Sequence, residues 1–198
     1  MDQISLQNIE NFSVNLNDHP LKWIFEEENN ILSQEFADQI IPLNEDAARF
    51  LWTFERTQKI LNTAFPTPDH FKNIVEFSSV DKTNEQVKKW LYHRGIKFDN
   101  KVFWAPDVKW AFVLTWKMVI KFANKLFFGN DEVIWDKTLN WVLFFNHNDI
   151  YFFGQDRIHN ADIESETIGE TRRIIEEALA KSKDYQPENR FNKNIFKR

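Results

Sequence analysis

The sequence predicts a single-domain α+β fold, a mostly antiparallel sheet with an aromatic-rich core covered by several helices. Three observations lead there. Residues 140–145 and 150–153 are apolar on successive positions and flank a polar four-residue loop, so they read as a hairpin buried on both faces. Residues 44–63, 83–93 and 115–127 carry apolar side chains at helical spacing and supply the cover. The 198-residue chain holds 20 Phe, 8 Trp and 3 Tyr but no cysteine, so its core rests on aromatic packing and not on disulfides.

Taken in order, Ile4, Leu6, Phe12, Val14 and Leu16 alternate in the manner of a short strand. Asp18-His19-Pro20 is a turn signal, and Leu21 to Phe25 anchors the N-terminal region to the core. Glu26, Glu27 and Glu28 with Asn29 and Asn30 form a solvated acidic loop. Ser33 can cap a short helix through Phe36, and Pro42 is a break. In 44–63, Asn44 is the N-cap, and Glu45 and Asp46 occupy the first turn, where the helix dipole favours acids. Ala47, Phe50, Leu51, Phe54 and Leu61 give that helix one apolar face, and Pro66 and Pro68 end it. Asp69 is then expected to cap a short helix carrying Phe71, Ile74, Val75 and Phe77. In 83–93, Thr83 caps, Glu85 and Gln86 offer the capping-box partner, and Gly95 is the stop.

Residues 102–154 form the densest apolar stretch, with five of the eight Trp. Residues 101–104 read as a strand, Ala105-Pro106-Asp107 as a turn, and 110–114 as a second strand rich in β-formers. Thr115 is expected to cap one helix through Phe127, with Met118, Val119, Phe122 and Leu126 on a single face. Residues 132–135 are a short strand, and the hairpin follows with Asn146-His147-Asn148-Asp149 at its turn. After Gly154 the chain becomes polar. Residues 164–182 read as a charged amphipathic helix with Ile168, Ile175, Ala178 and Leu179 as its stripe, followed by a basic tail. The expected organisation is one α+β domain over 1–163, with 164–198 packed on it or extending from it. The stripe is also a candidate contact for a homo-oligomer.

Charge and composition narrow the function. Net charge is −5, unevenly spread: the first 50 residues hold ten acids against Lys22 and Arg49, a net −8, which leaves +3 for the remainder. Overall acidity argues against general nucleic-acid binding, which relies on phosphate neutralisation by Lys and Arg. An acidic N-terminal surface suits a basic protein partner, with Glu26, Glu27, Glu28 and Asp46 as its candidate residues. With four glycines and no Gly-rich phosphate loop, nucleotide enzymes of the P-loop and dinucleotide-binding types are disfavoured. A thiol nucleophile is impossible, Gly-x-Ser-x-Gly is absent, and no cofactor is expected. No apolar run exceeds five residues, and Met1-Asp2-Gln3-Ile4-Ser5 lacks the features of a signal peptide, so no membrane contact is expected. The absence of cysteine fits a cytoplasmic location.

The candidate chemistry lies at the hairpin tip. His147 and Asp149, with Asn148 between them and Asp131, Asp136, Asp156 and His159 as candidate neighbours, are the groups from which a small hydrolase would build an acid/base site. The spacing His147-x-Asp149 matches no strong metal signature, and no metal site is expected. Asn and Asp also tolerate tight-turn geometry, which makes a plain turn the leading reading there. Trp104 and Trp110 flank a Pro-Asp turn and are expected in the core. His93 is expected at a helix C-terminus.

Three landmarks carry a resemblance across residues 20–155. They are Lys22-Trp23-Ile24-Phe25, Leu51-Trp52 on a helix after Pro42, and a strand–helix–strand–hairpin order ending in Phe152-Phe153-Gly154. The arrangement resembles small bacterial proteins of unknown function, several families of which are similar to the immunity proteins that neutralise secreted toxins. The resemblance implies a non-enzymatic, immunity-type inhibitor whose partner is a toxin or effector. It carries no functional residue with it.

Overall fold

The computed structural model describes residues 3–26, 32–62, 65–128 and 130–159. Its strands are β1 (Ile40–Pro42), β2 (Phe71–Ser78), β3 (Lys101–Asp107), β4 (Trp110–Thr115), β5 (Glu132–Trp135), β6 (Trp141–Asn146) and β7 (Ile150–Arg157). They form one seven-stranded sheet in the order β1-β4-β3-β5-β6-β7-β2, antiparallel at every junction. The helices are α1 (Gln34–Ala37), α2 (Glu45–Thr57), α3 (Asn84–Tyr92), α4 (Trp116–Lys121) and α5 (Ala123–Leu126), with short 3-10 turns at Ile9–Phe12, Leu16–Asp18 and Lys22–Phe25. This is the α+β architecture that the sequence predicts.

The central strands are covered on both faces, as their unbroken apolar runs require. Successive side chains of a strand point to opposite faces. Val102, Trp104, Phe112, Leu114, Ile134, Leu143 and Phe153 therefore gather on one side, where Ile24, Phe25, Leu91, Met118, Val119 and Phe122 cover them. Phe103, Ala111, Val113, Trp135, Val142 and Phe144 gather on the other, beneath Ile9, Ala47, Ala48, Leu51 and Leu61. Each buried Val, Leu, Ile, Phe or Met side chain among them contributes about 1.5–3 kcal/mol. Ring pairs orient the packing: Phe25 meets Phe122 edge-on at 5.3 Å, and Trp116 meets Trp141 edge-on at 5.5 Å.

Local signals set the helix starts. The Asn44 side chain accepts from Ala47 N at 3.0 Å. Thr83 and Gln86 close a reciprocal capping box, and Gly95 adopts φ +76° after α3, a left-handed conformation that glycine takes at little cost.

Several expectations are corrected. Residues 71–78 form a strand, not the helix that Asp69 was expected to cap. Phe71, Ile74, Val75 and Phe77 fit either period, and pairing along β7 decides between them. The expected N-terminal strand is a pair of 3-10 turns, and the β-type pairing seen there among the described residues is one isolated bridge, Ser13 to Leu43. The helix expected to run to Phe127 breaks at Phe122 (φ −104°, ψ 21°), and the Thr115 hydroxyl donates to Gln39 Oε1 at 2.8 Å instead of capping it. β3 continues through Pro106, where a register irregularity spares the ladder the missing N–H. The first long helix stops at Thr57. The expected 164–182 helix, with its Ile168, Ile175 and Leu179 stripe, lies outside the described residues.

Candidate functional site

Two elements bring carboxylates into one cavity. On α2, residues four apart share a face, so Ala47, Leu51 and Glu55 all turn inward, and Glu55 is 8% exposed. On β5, Glu132 shares its side with Ile134 and is also 8% exposed. β5 pairs with β3 only at Trp135–Phe103 and Ile134–Trp104, so the sheet parts beyond Trp104 and Glu132 stands at the opening. A cavity of about 250 Å³ lies here, lined by Glu55, Arg56, Asn62, Asp131 and Glu132 over an apolar floor of Leu61, Val133, Phe144 and Phe145.

Each buried carboxylate is held by an indole. Trp104 Nε1 donates to Glu132 Oε2 at 2.7 Å, and Trp135 Nε1 donates to Glu55 Oε2 at 3.4 Å. These bonds favour the charged form, but burial outweighs them. Glu55 is pushed up to about 8 by burial, against the opposing pull of Arg56 and Trp135, with Glu132 adding repulsion. Glu132 is pushed up to about 7 by burial, against Trp104, with Asp131 adding repulsion. Arg56 neutralises the cavity only in part. Its guanidinium lies 3.7 Å above the Trp52 ring and reaches Glu55 at 3.6 Å, and the side chain is 44% exposed.

At the rim, Asp131 Oδ1 accepts from His147 N at 2.8 Å and lies 2.7 Å from His147 Nδ1. Burial would raise the Asp131 pKa, but the His147 backbone and ring bonds and the His147 charge bring it below the ordinary value. His147 and Asp131 therefore meet, and both are more than half exposed.

Asp149, Asp136 and Asp156 are engaged elsewhere. Asp149 adopts φ +61°, and its carbonyl accepts from Ser79 N at 2.8 Å and Ser79 Oγ at 2.9 Å, so it serves the turn. Asp136 is buried at the far end of β5, where Asn100, Thr138 and Trp141 saturate its oxygens. Asp156 accepts from Asn73 on β2. His93 Nδ1 contacts Lys89 O at a helix end and Trp104 is core, both as expected, whereas Trp110, also expected in the core, is only half-buried. Among the described residues no three His, Asp or Glu side chains converge as a metal-binding group. No described helix is long and apolar enough to cross a membrane.

Of the candidate partner-binding residues, Glu26 and Asp46 are exposed, and Glu27 and Glu28 lie outside the described residues. Glu26 follows Phe25, which packs on one face of the sheet. Asp46 precedes Ala47, which packs on the other. Nearby acids are matched by lysines from later in the chain, with Glu10 at 2.6 Å from Lys101 and Glu35 at 3.1 Å from Lys117. The N-terminal excess of acid thus partly closes on the basic remainder.

Glu55, Glu132 and Arg56 are site residues that the sequence reading passed over. The signal was present for both acids. Glu55 continues the spacing of Ala47 and Leu51, and Glu132 alternates in register with Ile134. Compared with known protein families, with curated proteins and with solved structures, the chain matches none.

Proposed function

We propose that this chain is a non-enzymatic binding protein of the immunity type, and that it captures a basic protein partner by seating an arginine or lysine side chain in the carboxylate cavity. The observation that carries this reading is the pairing of Glu55 and Glu132, held up at about 8 and 7, with the Asp131 rim. An inserted cation supplies what burial denies these acids. It favours their charged forms and is bound by the carboxylates it creates. A buried arginine at the centre of an interface is a recurrent energetic anchor. Exposed Glu26 and Asp46 would then steer encounter without forming the contact centre.

The test is affinity for toxins encoded beside this chain, measured by calorimetry in buffers of different ionisation enthalpy. Binding is expected to release protons near pH 6.5, and Glu55→Gln with Glu132→Gln is expected to abolish that release and weaken binding at least about tenfold. The absence of a bound partner, or affinity indifferent to these substitutions, overturns the reading.

A second reading is a small hydrolase, favoured by one feature. Glu132, at about 7, sits beside the Asp131–His147 pair and would act as a general acid at neutral pH. Turnover of ester or glycoside substrates that is lost in Glu132→Gln would support it. Turnover unaffected by that change would remove it.

A further inference from the structure

We propose that the free edge of β2 pairs with β2 of a second copy of this chain, centred on Ile74, to join two sheets into one. β2 ends the sheet, and among the described residues nothing pairs with its outer side. It is eight residues long, with Lys72, Asn73, Val75, Glu76 and Ser78 exposed. The opposite edge, β1, is three residues long and ends in Pro42, so it offers little to a partner.

The backbone faces the right way. Ser79 N donates inward to Asp149 O at 2.8 Å. Inward and outward bonding alternate along an antiparallel strand, so from Asn73 onward Ile74 and Glu76 direct their N–H and C=O groups outward, whereas at the start of the strand His70 O turns inward to Ile158 N at 2.8 Å. A long unpaired edge of this kind is a template for another strand.

Charge selects the register. In a two-fold antiparallel pair centred on Ile74, Lys72 stands opposite Glu76 of the second copy, and the pair occurs twice. Centring on Lys72 sets two lysines opposite each other, and centring on Glu76 sets two glutamates opposite each other, both unfavourable. The Ile74 register also sets Asn73 against Val75. Lys72 and Glu76 have no partner among the described residues. As single charges on an edge they discourage pairing, and in this one register they reward it.

Sedimentation of the full chain across a concentration series tests the proposal. A species of twice 23.8 kDa is expected. Glu76→Lys is expected to raise its dissociation constant about tenfold or more, because two lysine pairs then face each other. Lys72→Glu combined with Glu76→Lys restores opposite charges and is expected to restore the dimer, which a merely unfolded variant could not do. The chain contains no cysteine, so Ile74→Cys is expected to form an oxidised dimer faster than the exposed control Val80→Cys. A monomer at every concentration overturns the proposal. So does a dimer indifferent to the charge swap. A monomer whose β2 amides resist hydrogen exchange would assign the edge to another segment of the same chain, and capture of an extended peptide by the monomer would assign it to a foreign strand. Neither outcome depends on the carboxylate cavity.

Discussion

Trp104 donates its indole N–H to Glu132 across 2.7 Å, from the last residue at which β3 still accompanies β5. The bond anchors Glu132, which lines the cavity. Phenylalanine at 104 would keep the stacking on Phe112 and remove the donor. The expected result is a loss of about 1–2 kcal/mol at pH 8, where Glu132 is charged, and a smaller loss at pH 5. Urea denaturation at the two pH values measures both.

The two raised acids give the protein a characteristic pH response. Glu55 and Glu132 fold with pKa values of about 8 and about 7, above the ordinary 4.5, so folding takes up protons between these values. Their contribution is present in full below pH 4.5 and is lost as pH rises through 7 and 8. Asp131, shifted downward, acts oppositely and costs stability only as acid protonates it. The urea midpoint is therefore expected to fall from pH 5 to pH 9. Glu55→Gln and Glu132→Gln are each expected to flatten that slope, and an unchanged slope would refute the assignment.

Gly154 lies beneath Phe71. A methyl group added there would come within 2.7 Å of both Phe71 Cδ2 and Pro66 Cβ, with a ring and a proline as the unyielding parties. Gly154→Ala is expected to destabilise the fold by about 1–3 kcal/mol, read as a lowered Tm. Phe71→Leu combined with Gly154→Ala should recover part of that loss if the clash is the cause.

At the hairpin tip, Asp149 carries a left-handed backbone at φ +61°. Glycine adopts that conformation without the Cβ penalty. Asp149→Gly is expected to leave stability within about 1 kcal/mol of the parent and binding unchanged. His147→Ala removes an exposed pair and is expected to cost less than about 1 kcal/mol in stability. Thermal unfolding checks both, and a large loss of binding in Asp149→Gly would return Asp149 to the site.

What the sequence revealed divides by range. The capping box at Thr83, the Asn44 cap and the hairpin at Asn146 to Asp149 depend on residues within a few positions of one another, and all are readable in line. β2 depends on β7, where Phe71 pairs with Arg157, and its own apolar spacing suited a helix as well. The cavity was hidden for a different reason. Glu55 sits on a helix and Glu132 begins a strand, positions where acids are usually solvated, and only the parting of β3 from β5 brings them to one opening. Even so, an acid in step with Ala47 and Leu51 was a visible anomaly.

The strand order has a consequence for synthesis. β1 and β2 leave the ribosome before any of the strands they accompany, because β4 and β7 lie well downstream in the chain. The five inner strands are all encoded after residue 100 and can assemble among themselves, with the N-terminal strands added at either flank. Such late, distant closures slow folding, since chain entropy must be lost before the contacts form. The N-terminal strands therefore wait longest for their pairing partners, and their apolar residues stay uncovered until the inner strands have been made.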